Sequence, residues 1–196
     1  MPFSPDSEVD VTELEDVKEW ALLRELEYQG KQDPYTVPVG QHTDFASVPR
    51  VFAWFIPPYG RYTKAAILHD YLWRVKAAGG EITWLDADAL LRRAMRELGV
   101  SFLIRWIMWA AVRWGALTKR NGLRGWWKES WRVLPVTLLA FPFIVPPAVV
   151  VGVALLAFYF VEFLFWIPLK LSAVFRTKIG RPPRKEVNRP TISWKL

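Results

Sequence analysis

The chain has 196 residues, no cysteine, 12 tryptophans and a net charge of +7. That length holds one domain of ordinary size with something added. The lack of cysteine excludes disulfide frameworks and thiolate metal sites, and it fits a reducing compartment. Hydrophobic residues make up 52% of the chain, a little above the soluble norm, and they are concentrated at one end.

Residues 1–17 form an acidic leader. Its first ten residues, rich in Pro, Ser and Asp, read as disordered, and 11–17 suit a short helical turn. Asp6, Glu8, Asp10, Glu13, Glu15, Asp16 and Glu19 stand where a secretory signal would carry basic and then apolar residues, so no signal peptide is expected. Residues 18–29 alternate like a strand, with Trp20, Leu22, Leu26 and Tyr28 on one face and Arg24 breaking the pattern. Gly30–Pro34 supplies a turn, and Tyr35–Val39 a short edge strand limited by Pro38. A polar loop runs through Ser47. The aromatic and proline-rich stretch 49–62 should be irregular.

Thr63 suits the start of a helix through about Lys76, and Gly79-Gly80 ends it. Thr83 opens a second helix, with Asp86 placed to complete a capping box, and Gly99 stops it after Leu98. A third helix, over Ser101–Leu117, carries Trp106, Trp109 and Trp114, with Arg105 and Arg113 as its only charges. It fits either a core helix or an interfacial one whose arginines snorkel. These elements predict a small α+β domain over 18–118, a β-hairpin or sheet packed on about three helices.

Residues 119–132 are basic and aromatic, with Trp126, Trp127 and Trp131 among Lys128 and Arg132, as in the aromatic belt of a membrane protein. From Val133 to Val161 no residue is charged, and Glu162 is the single charge before Lys170. A bilayer core takes about 20 apolar residues as a helix, so 133–169 is expected to enter a membrane. Pro146-Pro147 divides it, and with basic residues on both flanks a hairpin turning near 146–147, re-entrant or spanning, keeps both flanks on the cytoplasmic face. The alternative, a single crossing by 148–169, carries one basic cluster across. Glu162 within the second arm is a costly acid that marks either function or an interfacial position. The tail, 170–196, is basic. The expected partners are anionic lipid headgroups and a phage or host membrane protein, in preference to nucleic acid.

Three polar signals in the domain are candidates for chemistry. They are Asp44 and Ser47 in the loop after the strands, His69-Asp70 inside an apolar helix, and Asp86 with Asp88 on the next helix. Buried charge is unfavourable unless paired, so a His-Asp pair on an apolar helix needs a reason. Asp44, His69, Asp70 and Asp88 have the donor types for a divalent metal that would activate water. Alternatively Asp44 orients His69 as a base and Ser47 attacks as nucleophile. A structural staple, in which the same groups bond to one another, is the remaining possibility.

The blocks Val37-Pro38-Val39-Gly40, Thr43-Asp44-Phe45-Ala46-Ser47-Val48-Pro49-Arg50, Ala65-Ala66-Ile67-Leu68-His69-Asp70-Tyr71-Leu72, Ala87-Asp88 and Ala94-Met95 resemble the domain-of-unknown-function family numbered 1353, over about residues 18–116. The resemblance implies a small α+β domain of phage or prophage origin with no established activity. Gln41 departs from its pattern, and 133–169 lies outside it. Together these features suggest a protein at a bacterial inner membrane with its domain facing the cytoplasm. It would be either a metal-dependent hydrolase or a non-enzymatic assembly, lysis or superinfection-exclusion factor.

Overall fold

The computed structural model describes residues 2–4, 8–14, 19–30, 34–46, 48–118, 125–179 and 189–191. Five short strands come first. β1 (Val11–Glu13), β2 (Trp20–Leu22) and β5 (His42–Thr43) form an antiparallel sheet in the order β1-β2-β5. β3 (Leu26–Gln29) and β4 (Pro34–Val37) form a separate hairpin. The predicted strand 18–29 is therefore two strands. The break falls at Leu23–Glu25, where Arg24 turns outward and bonds Asp10 at 2.9 Å. Of its predicted buried face, Leu22, Leu26 and Tyr28 are all at 1% exposure or less, and Trp20 is half-buried.

The N-terminal segment corrects two expectations. Residues 11–13 are a strand and not a helical turn, because Val11 and Thr12 pair with Leu22 and Ala21 of β2. β-branched residues beside a partner strand gain more from that ladder than from an isolated turn. Residues 2–4, at the start of the leader, are also held. Phe3 is 3% exposed, its ring centroid lies 5.1 Å from that of Tyr28, and the Gln29 amide donates to the Pro2 carbonyl at 2.7 Å.

Three helices cover the sheets. α1 (Thr63–Tyr71) runs into a π-helical turn over Leu72–Ala77. α2 (Trp84–Glu97) starts with the expected capping box: the Asp86 amide donates to Thr83 Oγ1 at 3.2 Å, and the Thr83 amide to Asp86 Oδ2 at 3.2 Å. α3 (Phe102–Ala116) follows after Gly99. The core gathers Leu22, Leu26 and Val37 of the strands with Ile67, Leu68 and Leu72 of the first helical stretch and Leu91 and Met95 of α2, all at 2% exposure or less.

The apolar segment is a single helix, α4 (Trp126–Lys178), 53 residues long and running through five prolines. No hairpin forms near Pro146-Pro147. Each proline removes one amide donor and bends a helix, but a reversal would leave several adjacent backbone groups unpaired within an apolar run. α4 is long and apolar enough to cross a membrane, by length and composition. Its first half lies along the domain. Val133 is fully buried against Trp109 and Ala110 of α3, and Val51 of the short 3-10 turn Arg50–Phe52 faces Gly152. Most of the remaining apolar surface is open, including Leu138, Phe143, Val153 and Phe160, each at least 60% exposed.

The entry to α4 rests on Gly125, whose φ is +89°. A Cβ there would come within 2.6 Å of Leu85 Cδ1 on α2. Gly125→Ala should therefore combine left-handed strain with overpacking, and destabilise by about 2–4 kcal/mol. Denaturant unfolding of the detergent-solubilised chain, followed by tryptophan fluorescence, measures this. An unchanged midpoint would contradict the packing of Gly125 on α2.

Candidate functional site

His69 and Asp70 are neighbours near the end of α1, so their side chains leave the helix about 100° apart. Ala65, Ala66, Ile67 and Leu68 before them are all buried. The helix is thus fixed in the core, and its two polar residues enter two different networks.

Asp70 faces β5. Its Oδ2 accepts a hydrogen bond from Thr43 Oγ1 at 2.6 Å, and Thr43 is fully buried. The Thr43 oxygen in turn accepts from the Phe45 amide at 3.0 Å. This bond holds a tight turn in which Phe45 takes φ = +56°, a conformation that aromatic residues seldom adopt. Asp44 lies beside Asp70, 3.9 Å from Arg74 Nη2. Arg74 also donates to Glu19 Oε1 at 2.9 Å, and the other Glu19 oxygen is 3.4 Å from His42 Nδ1. Burial, reinforced by the negative charge of Asp44, pushes the Asp70 carboxyl from its ordinary 3.8 up to about 6. The Thr43 hydrogen bond and the nearby His69 and Arg74 oppose that rise without cancelling it.

His69 faces α2. Its Nε2 is 2.8 Å from Asp88 Oδ1, while Asp88 Oδ2 accepts from Arg113 Nη1 at 2.8 Å. Asp88 and Arg113 are both fully buried, and His69 is nearly so. The chain of charges continues to α4, where Glu129 Oε2 lies 3.6 Å from Arg113 Nε.

Of the expected metal set, Asp44, His69, Asp70 and Asp88, His69 contacts Asp88, whereas Asp70 bonds Thr43 and Asp44 faces Arg74. Among the described residues, no three His, Asp or Glu side chains gather closely enough to hold a metal ion. Both Asp88 oxygens are already engaged, by His69 and by Arg113. Ser47 lies outside the described residues. Asp86 caps α2 and stands apart from both networks.

Arg113 was not singled out as a partner of the polar residues in the sequence. The signal for it lies in the helical spacing. Arg113 shares the buried stripe of α3 with Trp109 and Ala116, and Asp88 shares that of α2 with Leu91 and Met95. Opposite charges on the buried faces of consecutive helices point to an ion pair.

Residues 20–112 match the family described as Protein of unknown function (DUF1353). The match runs from β2 into α3 and includes Asp44, His69, Asp70 and Asp88, ending one residue before Arg113. α4 lies beyond it. No curated protein and no solved structure matches the chain.

Two outcomes follow from these networks. A carboxyl group whose folded pKa is raised favours the fold while it stays protonated, and that contribution fades as pH rises from about 4 through about 6. Asp70→Asn keeps an acceptor for Thr43 and removes the titration. Melting temperatures of wild type should therefore fall more steeply between pH 4 and pH 7 than those of Asp70→Asn, and parallel curves would show that Asp70 is not strained. Asp88→Asn leaves Arg113 buried beside a neutral group and should destabilise by about 3–5 kcal/mol, while Asp88→Leu combined with Arg113→Met should recover much of that loss. A double variant weaker than Asp88→Asn in equilibrium unfolding would contradict the pairing.

Proposed function

We propose that the chain is a membrane-held factor of phage or prophage origin that acts through contacts at the bacterial inner membrane and not through a metal-dependent reaction. The observation that carries this is the state of Asp88, fully buried and bonded on both oxygens to His69 and Arg113. A metal-activated hydrolase needs several such donors around a point that water can reach. Here the polar side chains join α1, α2, α3 and β5 to one another. The phage setting rests on the resemblance of the sequence blocks.

The form of α4 supports one crossing. Its apolar run over 133–169 is about 55 Å long as a helix, nearly twice a bilayer core of about 30 Å. The domain occupies one side of the first arm and the start of the second, as far as Gly152. Residues 153–169 beyond it rise about 26 Å, close to the thickness of the core. Lys170, Arg176 and Lys178 then reach the far headgroups.

A second reading keeps catalysis at Asp70. An acid near pKa 6, beside Asp44 and a strained Phe45, resembles a general base tuned toward neutrality. Ser47, the serine nearest to Asp70 in sequence, would be the nucleophile of that reading.

The test uses the full chain. Extraction of membranes with alkaline carbonate should leave it in the pellet. Lysine in place of both Val153 and Phe160 should release it, and lysine in place of Leu23 should not. Retention of the Val153/Phe160 variant would show that the second arm is not the anchor. Metal analysis of the purified chain with its Asp44→Ala and His69→Ala variants separates the two functional readings. Metal well below one equivalent in all three is expected. One equivalent in the wild type, lost in both variants, would overturn the non-catalytic proposal.

A further inference from the structure

With 153–169 in the bilayer core, the apolar helix from Val133 to Gly152 lies on the domain's side of the membrane. The domain covers one face of it, through Trp109 and Ala110 at Val133, Trp114 at Thr137 and Val51 at Gly152. Another face is open and apolar. Trp127, Trp131, Leu134, Leu138 and Phe141 follow one another at alternating steps of four and three residues, and each is between 49% and 80% exposed. This is the heptad spacing that keeps side chains on one stripe of a helix. Val133, which packs on α3, is off the stripe.

Trp127 and Trp131 belong to this stripe although they precede the uncharged run. Trp131 stands about 33 Å along the helix from residue 153, whereas a headgroup layer is only about 5–8 Å thick. The bilayer interface therefore does not account for their exposure. The positions beside the stripe are Ser130 and Thr137 on one flank and Lys128, Pro135 and Pro142 on the other. Lys128 is the only charge among them, so the flanks offer little repulsion to an identical helix.

The area identifies the need for a partner. Aromatic side chains offer about 150–250 Å² each and leucines somewhat less, so at these exposures the stripe leaves on the order of 700 Å² open per chain. The largest apolar patch of an ordinary monomer is about 300–600 Å². Two such stripes in contact would bury about 1,200–1,400 Å², which reaches the range of stable interfaces. The membrane then selects the partner. Every copy that crosses by 153–169 carries its stripe in the same direction and at the same height. Two copies side by side match Leu134 to Leu134 and Leu138 to Leu138, the register of a parallel coiled coil. Confinement to one membrane also raises their effective concentration.

We infer that the chain pairs with a second copy of itself through the α4 stripe over 127–141, outside the bilayer core, as a parallel two-helix coiled coil. The pairing rests on the membrane crossing proposed above, which sets the height and direction of the stripe, and it adds a self-association that anchoring alone does not require. It gives the apolar length of α4 in excess of the core a use: part faces the domain, and part faces the same helix of another copy.

The chain has no cysteine, so each introduced thiol is the only one present. Single cysteines replace Leu134, Leu138, Leu139 or Phe143 in the full chain, and copper phenanthroline oxidises the membranes that hold it. Leu139 and Phe143 are 63% and 68% exposed but stand off the stripe. Leu134→Cys and Leu138→Cys should give at least about fivefold more disulfide-linked dimer than Leu139→Cys and Phe143→Cys. In detergent, light scattering should find a dimer for the wild type and a monomer for Leu134→Lys/Leu138→Lys, with helical circular dichroism unchanged because both positions are exposed. Equal cross-linking at all four positions would overturn the pair, and so would a double-lysine variant that stays dimeric. No dimer at 134 and 138, as when lipid covers the stripe, or a linked product with another protein, would overturn it as well. Carbonate extraction run alongside separates the two levels. A chain that stays in the pellet without the dimer pattern refutes only the pairing, whereas a chain that is washed off refutes the anchoring too.

Discussion

Asp88 and Arg113 are both sealed from water, and that fact constrains the arrangement of the helices. Removing an ion from water is expensive, and a low-dielectric interior returns the cost only when the partner is at hydrogen-bond distance. α2 and α3 must therefore pack in one register, the one that brings Arg113 Nη1 to 2.8 Å from Asp88 Oδ2. His69 fills the other Asp88 oxygen and locks α1 into the same arrangement. Glu129 extends the series to α4. Apolar packing alone would allow these helices to slide by part of a turn at small loss. The ion pair does not, which is the form of specificity that a buried polar group can provide.

Asp70 owes its state to the same constraint. Because His69 is committed to Asp88, α1 cannot rotate, and the following side chain must point toward β5. There it meets Thr43, a hydroxyl that is itself held by the Phe45 amide. The carboxyl group is placed by the packing of the helix rather than by its own affinity for the site, and its raised pKa is the result. Back-to-back networks on one short helix account for the presence of two polar residues in an otherwise apolar stretch.

Much of the fold could be read from local signals. The Thr83–Asp86 capping box, the stop at Gly99 and the alternation of Leu22, Leu26 and Tyr28 are each decided by residues within one or two turns. The leader and the sheet order were less legible, because Phe3 is held by Tyr28 and β1 by β2, and a propensity argument does not see such distant partners. The hairpin expectation failed for another reason. Pro146-Pro147 is a strong local break in water, but the backbone of an apolar helix has few alternatives to pairing with itself. At the site, the residue types were legible and the grouping was not. Asp44, His69, Asp70 and Asp88 were recognisable as unusual, yet which of them faced each other depended on helix rotation, and that was set by Arg113.

The domain and the long apolar helix α4 share a core, so α4 is more than an appendage. Trp109 and Ala110 of α3 are buried by Val133, the first apolar residue of α4, and the Trp114 indole donates to Thr137 Oγ1 at 2.9 Å. A domain joined to its membrane helix by a loose linker could tilt freely, and the state of the bilayer would not reach its interior. Here the first arm of α4 is packed against α3, and the Glu129 side chain one turn before it lies 3.6 Å from the guanidinium that holds Asp88 and, through it, His69. Any tilt of α4 that displaces Val133 must also displace Glu129, since both lie on one rigid helix about 6 Å apart along its axis. The contact that positions the polar centre is therefore also the contact that a membrane would move.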